Sequence, residues 1–183
     1  MSTQLAIRLP DETLADLDWL VVRCKYSSRT EAMRTLAYYA AAQIDKAHAG
    51  DAAAQARIDL LTPVVKGWST EQGVELSSTA LQVFGGVGFV EETGAAQYYR
   101  DSRITTIYEG TTAIQANDLV GRKTARDGGG VARALIAQVR ATEQALGAAA
   151  SADLAAIRGA LAAGSAALEQ TVAFVAAHYK TDV

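Results

Sequence analysis

Apolar and polar positions alternate over the first ten residues of the chain. One face of this segment is apolar, and the opposite face carries Gln4, Ala6 and Arg8. A period of two predicts a half-buried strand that stops at Pro10. Apolar residues then recur at three-to-four spacing over residues 14–21, which predicts an amphipathic helix.

Two longer helical patterns follow this start. Ser28 with Glu31 three residues later fits a capping box, which predicts a long helix that ends at Gly50. A second helix is predicted to begin at Thr62–Pro63, with threonine as the cap and proline at the first helical position. The glycines at 85, 86 and 88 end it, because glycine tolerates positive φ at a helix terminus.

The remaining patterns are also helical. Short helices are predicted from Gly94 to about Ser102 and from Thr111 or Thr112 to about Lys123. The run "RDGGG" at 126–130 is the clearest linker. Two alanine-rich helices come after it, and the second carries an apolar stripe that predicts helix-bundle core: Leu154, Leu161, Leu168 and Val175.

Composition narrows the function classes. The chain has 183 residues, a net charge of −3 and a pI near 5.4, which argues against a chain-wide nucleic-acid surface. The single Cys24 cannot form an internal disulfide, and His48 and His178 are isolated, so we expect no metal site and a reducing cytoplasm. No apolar run approaches about 18 residues, so neither export nor membrane spanning is expected.

The stretch "YRDSRITTIYEGTTAIQ" at 99–115 carries the most polar chemistry. Its Glu109 stands between Tyr108 and Gly110, just before an apolar helix. An ordinary helix start would explain these residues, because acidic groups are favoured in a first turn and Thr111 or Thr112 is a natural cap. A catalytic base held against a ligand is the alternative explanation.

This stretch and "LQVFGGVGF" at 81–89 together resemble the C-terminal helical domain of the acyl-CoA dehydrogenases. The resemblance runs from roughly residue 29 to the end of the chain. The segments "RTEAMR", "LLTPVVK" and "GRK" with the glycines after it are most similar to the longer bacterial members. Two motifs at this separation, flanked by helices, make the resemblance specific.

The resemblance implies a role for the corner. Glu109 matches the glutamate that removes the α-proton of an acyl-CoA thioester while a hydride leaves the β-carbon for FAD. Burial beside Tyr108 and the flavin would raise the basicity of its carboxylate. The Glu109 amide would donate to the developing oxyanion. Gly110 would let the backbone approach the substrate without a Cβ clash.

The resemblance also implies a cofactor and an oligomer. Thr111 matches a flavin-contacting threonine, and the residues that would contact FAD from the partner subunit are Gln82, Val83, Phe84, Gly85 and Gly86. A homodimer or homotetramer is therefore expected. We further predict that Arg100, Asp101 and Arg103 form an ion pair that holds the corner in place.

Other features of the family do not match. FAD is held mainly by an N-terminal helical domain and a middle β-barrel domain, neither of which these 183 residues include. A fusion or fragment with weak or no activity alone is the corresponding expectation, and a non-functional fragment remains an alternative.

Residues 1–34 resemble a ribbon-helix-helix DNA-binding module, in which two strands pair antiparallel across a dimer and enter the major groove. On this hypothesis Gln4, Ala6 and Arg8 face the bases, and Ser28 and Arg29 hold a phosphate. An amphipathic strand at a sheet edge or dimer seam, with no DNA bound, explains the alternation as well.

The expected fold is mainly α, with a short N-terminal strand that pairs across a dimer. Its expected parts are the module at 1–34, a dehydrogenase-like helical domain at 35–127 and extra amphipathic helices at 128–183. The leading function is the C-terminal domain of an FAD-dependent acyl-CoA dehydrogenase that acts on acyl-CoA thioesters. The alternative is a DNA-binding transcriptional regulator or antitoxin-like protein that binds duplex DNA.

Overall fold

The described part of the chain is helical. The computed structural model describes residues 29–148 and 151–179, and all regular secondary structure in these two ranges is helix. This confirms the mainly α fold. The predicted strand at residues 4–9, with the helix at 14–21, lies outside the described residues.

The first described helix, α1, spans Arg29–His48. It ends where the sequence predicts, because Gly50 has φ 97° and its amide donates to the Ala47 carbonyl at 2.9 Å. α1 packs along α2 (Ala52–Phe84) through Leu36, Tyr39 and Ala40.

Helix α2 begins ten residues earlier than predicted, at Ala52 rather than Thr62. Its cap is Asp51, whose carboxylate accepts from the amides of Ala53 and Ala54 at 2.9 and 3.0 Å. Pro63 lies inside the helix and is buried. A proline there removes one backbone hydrogen bond, but the buried apolar residues on the preceding turn keep α2 continuous by packing.

A glycine-rich turn ends α2 as predicted. Gly85 has φ 67°. A Cβ at the buried Gly88 would lie 2.7 Å from the Leu81 carbonyl oxygen, so only glycine fits there. The short helix α3 (Gly86–Phe89) and a 3₁₀ turn (Glu91–Thr93) then lead to α4 (Ala95–Thr105).

The helix predicted to reach Lys123 changes form halfway. α5 spans Thr112–Asn117, and a π-helix continues it over Asp118–Ala125. Amides here reach carbonyls five residues back, as in the bonds from Arg126 to Gly121 and from Gly129 to Thr124. π-Helical turns are rare and occur often at functional sites.

The glycine run at 126–130 is a packed turn. Asp127 accepts from the amides of Gly129 and Val131 at 2.9 and 2.8 Å. A Cβ at Gly129 would lie 2.4 Å from Val172 Cγ1. The segment predicted as a linker therefore packs tightly against the last helix.

Two helices follow this turn, α6 (Gly130–Ala145) and α7 (Ala152–His178). A 3₁₀ turn at Leu146–Ala148 extends α6. By length and composition alone, α7 meets the criterion for a membrane-crossing helix, which the sequence analysis did not expect. A core helix of a soluble protein meets the same criterion.

The core has two buried clusters, and α2 contributes residues to both. One consists of Leu60, Ala132, Ile136 and Val172, and the other of Ala40, Ile58 and Leu61. Leu135 of α6 packs against both clusters, so the helices after residue 128 share their core with α2.

The predicted stripe on α7 faces this core only in part. Leu168 is 46% exposed, while Val172, outside the stripe, is buried. Leu168 and Val175 line a cavity of about 350 Å³ among α2, α6, α7 and the π-helix. The stripe therefore borders an incompletely filled space rather than a closed core.

Candidate active site

The chain turns from α4 to α5 through two consecutive residues in the left-handed region. Glu109 has φ 53° and Gly110 has φ 92°. Among residues 29–148 and 151–179, Glu109 is the one non-glycine residue with positive φ. This conformation costs a non-glycine residue about 1–2 kcal/mol, and strained residues of this kind cluster at functional sites.

Three side chains hold this corner. Lys66 Nζ donates to the Gly110 carbonyl at 2.5 Å, and Gln115 Nε2 donates to the Glu109 carbonyl at 3.2 Å. Thr112 Oγ1 donates to the Glu71 carboxylate. No sequence pattern predicts a role for Lys66, Glu71 or Gln115 at this corner.

The cap of α5 bears on the helix-start explanation of Glu109. Thr111 is the N-cap, and its hydroxyl accepts from the Ile114 amide at 3.3 Å. Glu109 precedes that cap by two residues and lies outside the first turn. Neither capping nor the helix dipole therefore explains a carboxylate at this position.

The Glu109 side chain is exposed, as is Tyr108 at 49%. The predicted desolvation of the carboxylate is therefore not present within the described chain. Ile104, Ile107 and Ile114 are also exposed around the corner. Any apolar enclosure of Glu109 must come from groups beyond these residues.

The predicted cofactor residues at 82–86 form a second exposed surface. Val83 and Phe84 are about half exposed and Phe89 is 83% exposed. An exposed apolar patch of this kind is typical of ligand or subunit contacts. We call residues 82–90 the glycine-turn surface.

The structure does not bring the glycine-turn surface and the corner together. Lys66 at the corner and Gln82 at the turn are 16 residues apart on α2, which corresponds to about 24 Å along the helix axis. Tyr108, Glu109, Gly110 and Thr111 lie together at one end of this span, and residues 82–86 at the other.

The predicted ion pair among Arg100, Asp101 and Arg103 is wrong. Arg100 pairs with Glu91 at 2.6 Å, Asp101 accepts from Gln97 at 2.6 Å, and Arg103 donates to the Thr106 hydroxyl. Adjacent residues on a helix do not face each other, and Arg100 and Asp101 each contact the Gln97 side chain rather than one another. Glu91 and Arg100 line a cavity of about 610 Å³ beside the glycine turn.

The Glu91–Arg100 ion pair should make the stability of the fold depend on pH. The hydrogen bond from Arg100 lowers the pKa of Glu91 below its usual value and raises that of Arg100. The pair therefore stabilises the fold above the ordinary carboxyl pKa, and this contribution is lost as the pH falls through the lowered value. We expect a carbon-detected NMR titration to give Glu91 a low midpoint.

Arg100→Met should raise that midpoint to the ordinary glutamate value, and Arg103→Met should leave it where it is. If Glu91 titrates identically with and without Arg100, the pair does not exist in solution.

Residues 29–148 and 151–179 contain no group of three His, Cys, Asp or Glu side chains placed to hold a metal ion. Of the residues predicted to face DNA, Gln4, Ala6, Arg8 and Ser28 lie outside these ranges, and Arg29 is the first residue of α1.

The sequence matches the family described as Acyl-CoA dehydrogenase, C-terminal domain, over residues 17–124. This covers more than half of the chain, so the chain belongs to that family. The match begins inside the segment predicted as a ribbon-helix-helix module and includes its second half. The comparisons therefore extend the dehydrogenase domain toward the N-terminus and give the DNA-binding hypothesis no support.

Curated relatives agree with this family. The chain is 52% identical over 118 residues to 3-methylmercaptopropionyl-CoA dehydrogenase of Ruegeria pomeroyi, covering 62% of this chain and 20% of the relative. It is 43% identical over 105 residues to broad-specificity linear acyl-CoA dehydrogenase FadE5 of Mycobacterium tuberculosis, covering 54% of this chain and 17% of the relative. The matched part is thus about a fifth of these relatives' length.

A solved structure, Bd2924 apo-form, has a similar fold. It covers 91% of this chain with a TM-score of 0.55 and 21% sequence identity, and the match takes up 33% of that protein. The coverage includes the helices after the glycine run, so the likeness in fold extends well beyond residue 124.

Proposed function

We propose that this chain supplies the proton-abstracting base and part of the FAD surface of an acyl-CoA dehydrogenase. The reaction is the α,β-dehydrogenation of acyl-CoA thioesters, and Glu109 is the base. The observation that carries this proposal is the left-handed Glu109, whose carboxylate is exposed and lies outside the α5 cap. Membership of the dehydrogenase family supports the same role.

The chemistry requires a carboxylate here. A proton next to a thioester carbonyl is weakly acidic, so its removal needs a base with raised basicity and a donor for the oxygen that gains charge. Glu109 would take the α-proton on its carboxylate, and its own backbone amide would donate to the thioester oxygen. The exposed Tyr108 and Ile107 would cover the reacting atoms from water once substrate is bound.

The glycine-turn surface fits a flat cofactor. Gly86 has no positive φ, and a Cβ there would meet nothing of this chain within 4 Å. Its own packing therefore does not require glycine, whereas close approach by an external group would. Gln82, Val83, Phe84, Gly85 and Gly86, with Thr111, would hold FAD, which accepts the hydride from the β-carbon when bound.

We also propose that the complete site is assembled from more than one chain. Along α2, Gln82 lies about 24 Å from Lys66 and about 17 Å from Glu71, the two residues of that helix that hold the corner. FAD shared between two copies of the chain could contact both surfaces. A homodimer or homotetramer would supply this arrangement. A cytoplasmic location stays a prediction from the single Cys24.

Relatives suggest the substrate class. Two of them are named for 3-methylmercaptopropionyl-CoA and for linear acyl-CoA thioesters. We propose an acyl-CoA thioester with an unbranched acyl chain as the substrate. The isolated chain is expected to be weakly active or inactive, because much of the FAD-binding surface would come from other segments.

A graft tests this proposal. We define the graft as the Ruegeria pomeroyi relative in which residues 17–124 of this chain replace the matching segment. The purified graft should carry FAD, visible as a yellow flavin spectrum, and should oxidise acyl-CoA. A folded graft that binds FAD but has no turnover would refute the proposed function.

A further inference from the structure

Lys66 makes the longest-range polar contact to the corner. It lies in the middle of α2, partly buried, and its ammonium group bonds to the carbonyl of Gly110, 44 residues further along the chain. The neighbouring Gly67 is buried, and a Cβ there would lie 3.6 Å from Gln115 Cβ. α2 and α5 therefore approach closely where Lys66 reaches the corner.

The backbone carbonyl groups of the two left-handed residues, Glu109 and Gly110, both accept hydrogen bonds from side chains. Gln115 Nε2 bonds to the Glu109 carbonyl, and Lys66 Nζ bonds to the Gly110 carbonyl. If the backbone relaxed to negative φ, these carbonyls would rotate away and leave a partly buried ammonium group without its acceptor. A hydrogen bond from a charged donor is roughly twice as strong as a neutral one, so Lys66 is the stronger of the two restraints.

A second contact ties the other side of the corner to the same helix. Thr112, two residues after Gly110, donates to Glu71, which lies on α2 about one turn and a half beyond Lys66. Only Thr111 lies between the two anchored residues, Gly110 and Thr112. α2 thus fixes the corner immediately after Glu109.

We propose that Lys66 is a positioning residue for the Glu109 base. Its ammonium group keeps Glu109 and Gly110 left-handed through the Gly110 carbonyl, and this conformation aims the Glu109 carboxylate and amide at one substrate. The inference rests on the proposed function for its catalytic consequence. The claim that Lys66 keeps Glu109 and Gly110 left-handed depends only on contacts within this chain.

The structural part is tested on the full 183-residue chain by NMR. A residue with positive φ shows a strong amide–Hα Overhauser effect within itself, and Glu109 should show one. Lys66→Met keeps the side-chain length but removes the donor, so we expect the Glu109 signal to weaken while helical content is unchanged. Lys66→Arg restores a charged donor and should retain the signal.

Lys46→Met, at an exposed position in the last turn of α1, is the matched control and should change nothing. Lys66→Leu, which also lacks a donor, covers the case in which the methionine variant does not fold. A Glu109 signal that keeps its full strength in the folded Lys66→Met or Lys66→Leu chain would overturn the inference.

The catalytic part is tested in the graft. Small displacements of a catalytic group cost up to about 100-fold in rate, so Lys66→Met should lower kcat by roughly 10- to 100-fold with little change in KM. Lys66→Arg should recover most of the loss. If Glu109→Gln abolishes turnover but Lys66→Met does not lower kcat, the inference alone fails. If Glu109→Gln retains turnover, the proposed function fails first.

Discussion

Replacing Glu109 by glutamine in the graft is expected to lower kcat for acyl-CoA oxidation by about 10²–10⁴-fold, the usual contribution of a general base. Glutamine has nearly the same shape as glutamate and keeps the hydrogen bonds to the corner backbone, but its amide cannot accept the α-proton. KM should change little, because the substrate contacts remain. Steady-state kinetics with a linear acyl-CoA measures both constants.

Asp45→Asn is the control for this change. It makes the same carboxylate-to-amide substitution at an exposed position on α1, far along the chain from the corner. Turnover and circular dichroism should both match those of the unsubstituted graft. A Glu109→Gln graft that keeps its full kcat would show that another group removes the proton.

Adding a methyl group at Gly129 is expected to destabilise the full chain by about 2–5 kcal/mol, the sum of a left-handed backbone penalty and overpacking. Gly129 has φ 81°, and a Cβ there would lie 2.4 Å from Val172 Cγ1 in the core. The methyl group would therefore push α7 away from α6 and the π-helix. Urea unfolding followed by circular dichroism measures the loss.

Gly128→Ala separates the two causes. Gly128 has φ 66°, but a Cβ there meets nothing within 4 Å. Its substitution should cost only the backbone penalty, about 1–2 kcal/mol. If the two alanine variants lose equal stability, then α7 does not pack on the turn as the structure shows.

Local sequence signals identified most of the helices. The ends at Gly50 and Gly85 are predictable because glycine at these positions adopts positive φ. The start of α2 was missed because proline normally marks a first turn. Here Asp51 caps the helix instead, and Pro63 lies inside it while Ile58 and Leu61 pack against α1. Tertiary contacts override local preference at this point.

The π-helix and the packed glycine turn were missed for a related reason. Both depend on where α7 lies: a Cβ at Gly121 would meet Tyr179 at 2.5 Å, and one at Gly129 would meet Val172. These partners are more than 40 residues away in sequence, so no local pattern contains them.

At the candidate site, too, local motifs were predictable and contacts distant in sequence were not. Glu109 stands out because its Tyr-Glu-Gly setting is a motif, whereas Lys66 belongs to the site only through a contact 44 residues away. Its motif, "LLTPVVK", gave no sign of that contact. The expected burial of Glu109 beside a flavin stays a prediction, because it depends on groups that residues 29–148 and 151–179 do not contribute.

The comparisons do not support the N-terminal hypothesis, and the sequence pattern behind it is ambiguous. Apolar residues at three-to-four spacing over residues 14–21 suit an amphipathic helix of any family. The family match from residue 17 assigns this helical spacing to the dehydrogenase domain, which leaves only the short alternation before Pro10 to suggest a DNA-binding strand.

The exchange of α-hydrogens for deuterium tests most directly whether Glu109 is a base. In D₂O without an electron acceptor, the FAD-loaded graft should exchange the hydrogens next to the thioester carbonyl, as seen by proton NMR of the recovered acyl-CoA. The Glu109→Gln graft, folded and carrying the same FAD, should not exchange them. Equal exchange in both proteins would contradict the account, because proton removal would then not depend on the carboxylate at this corner.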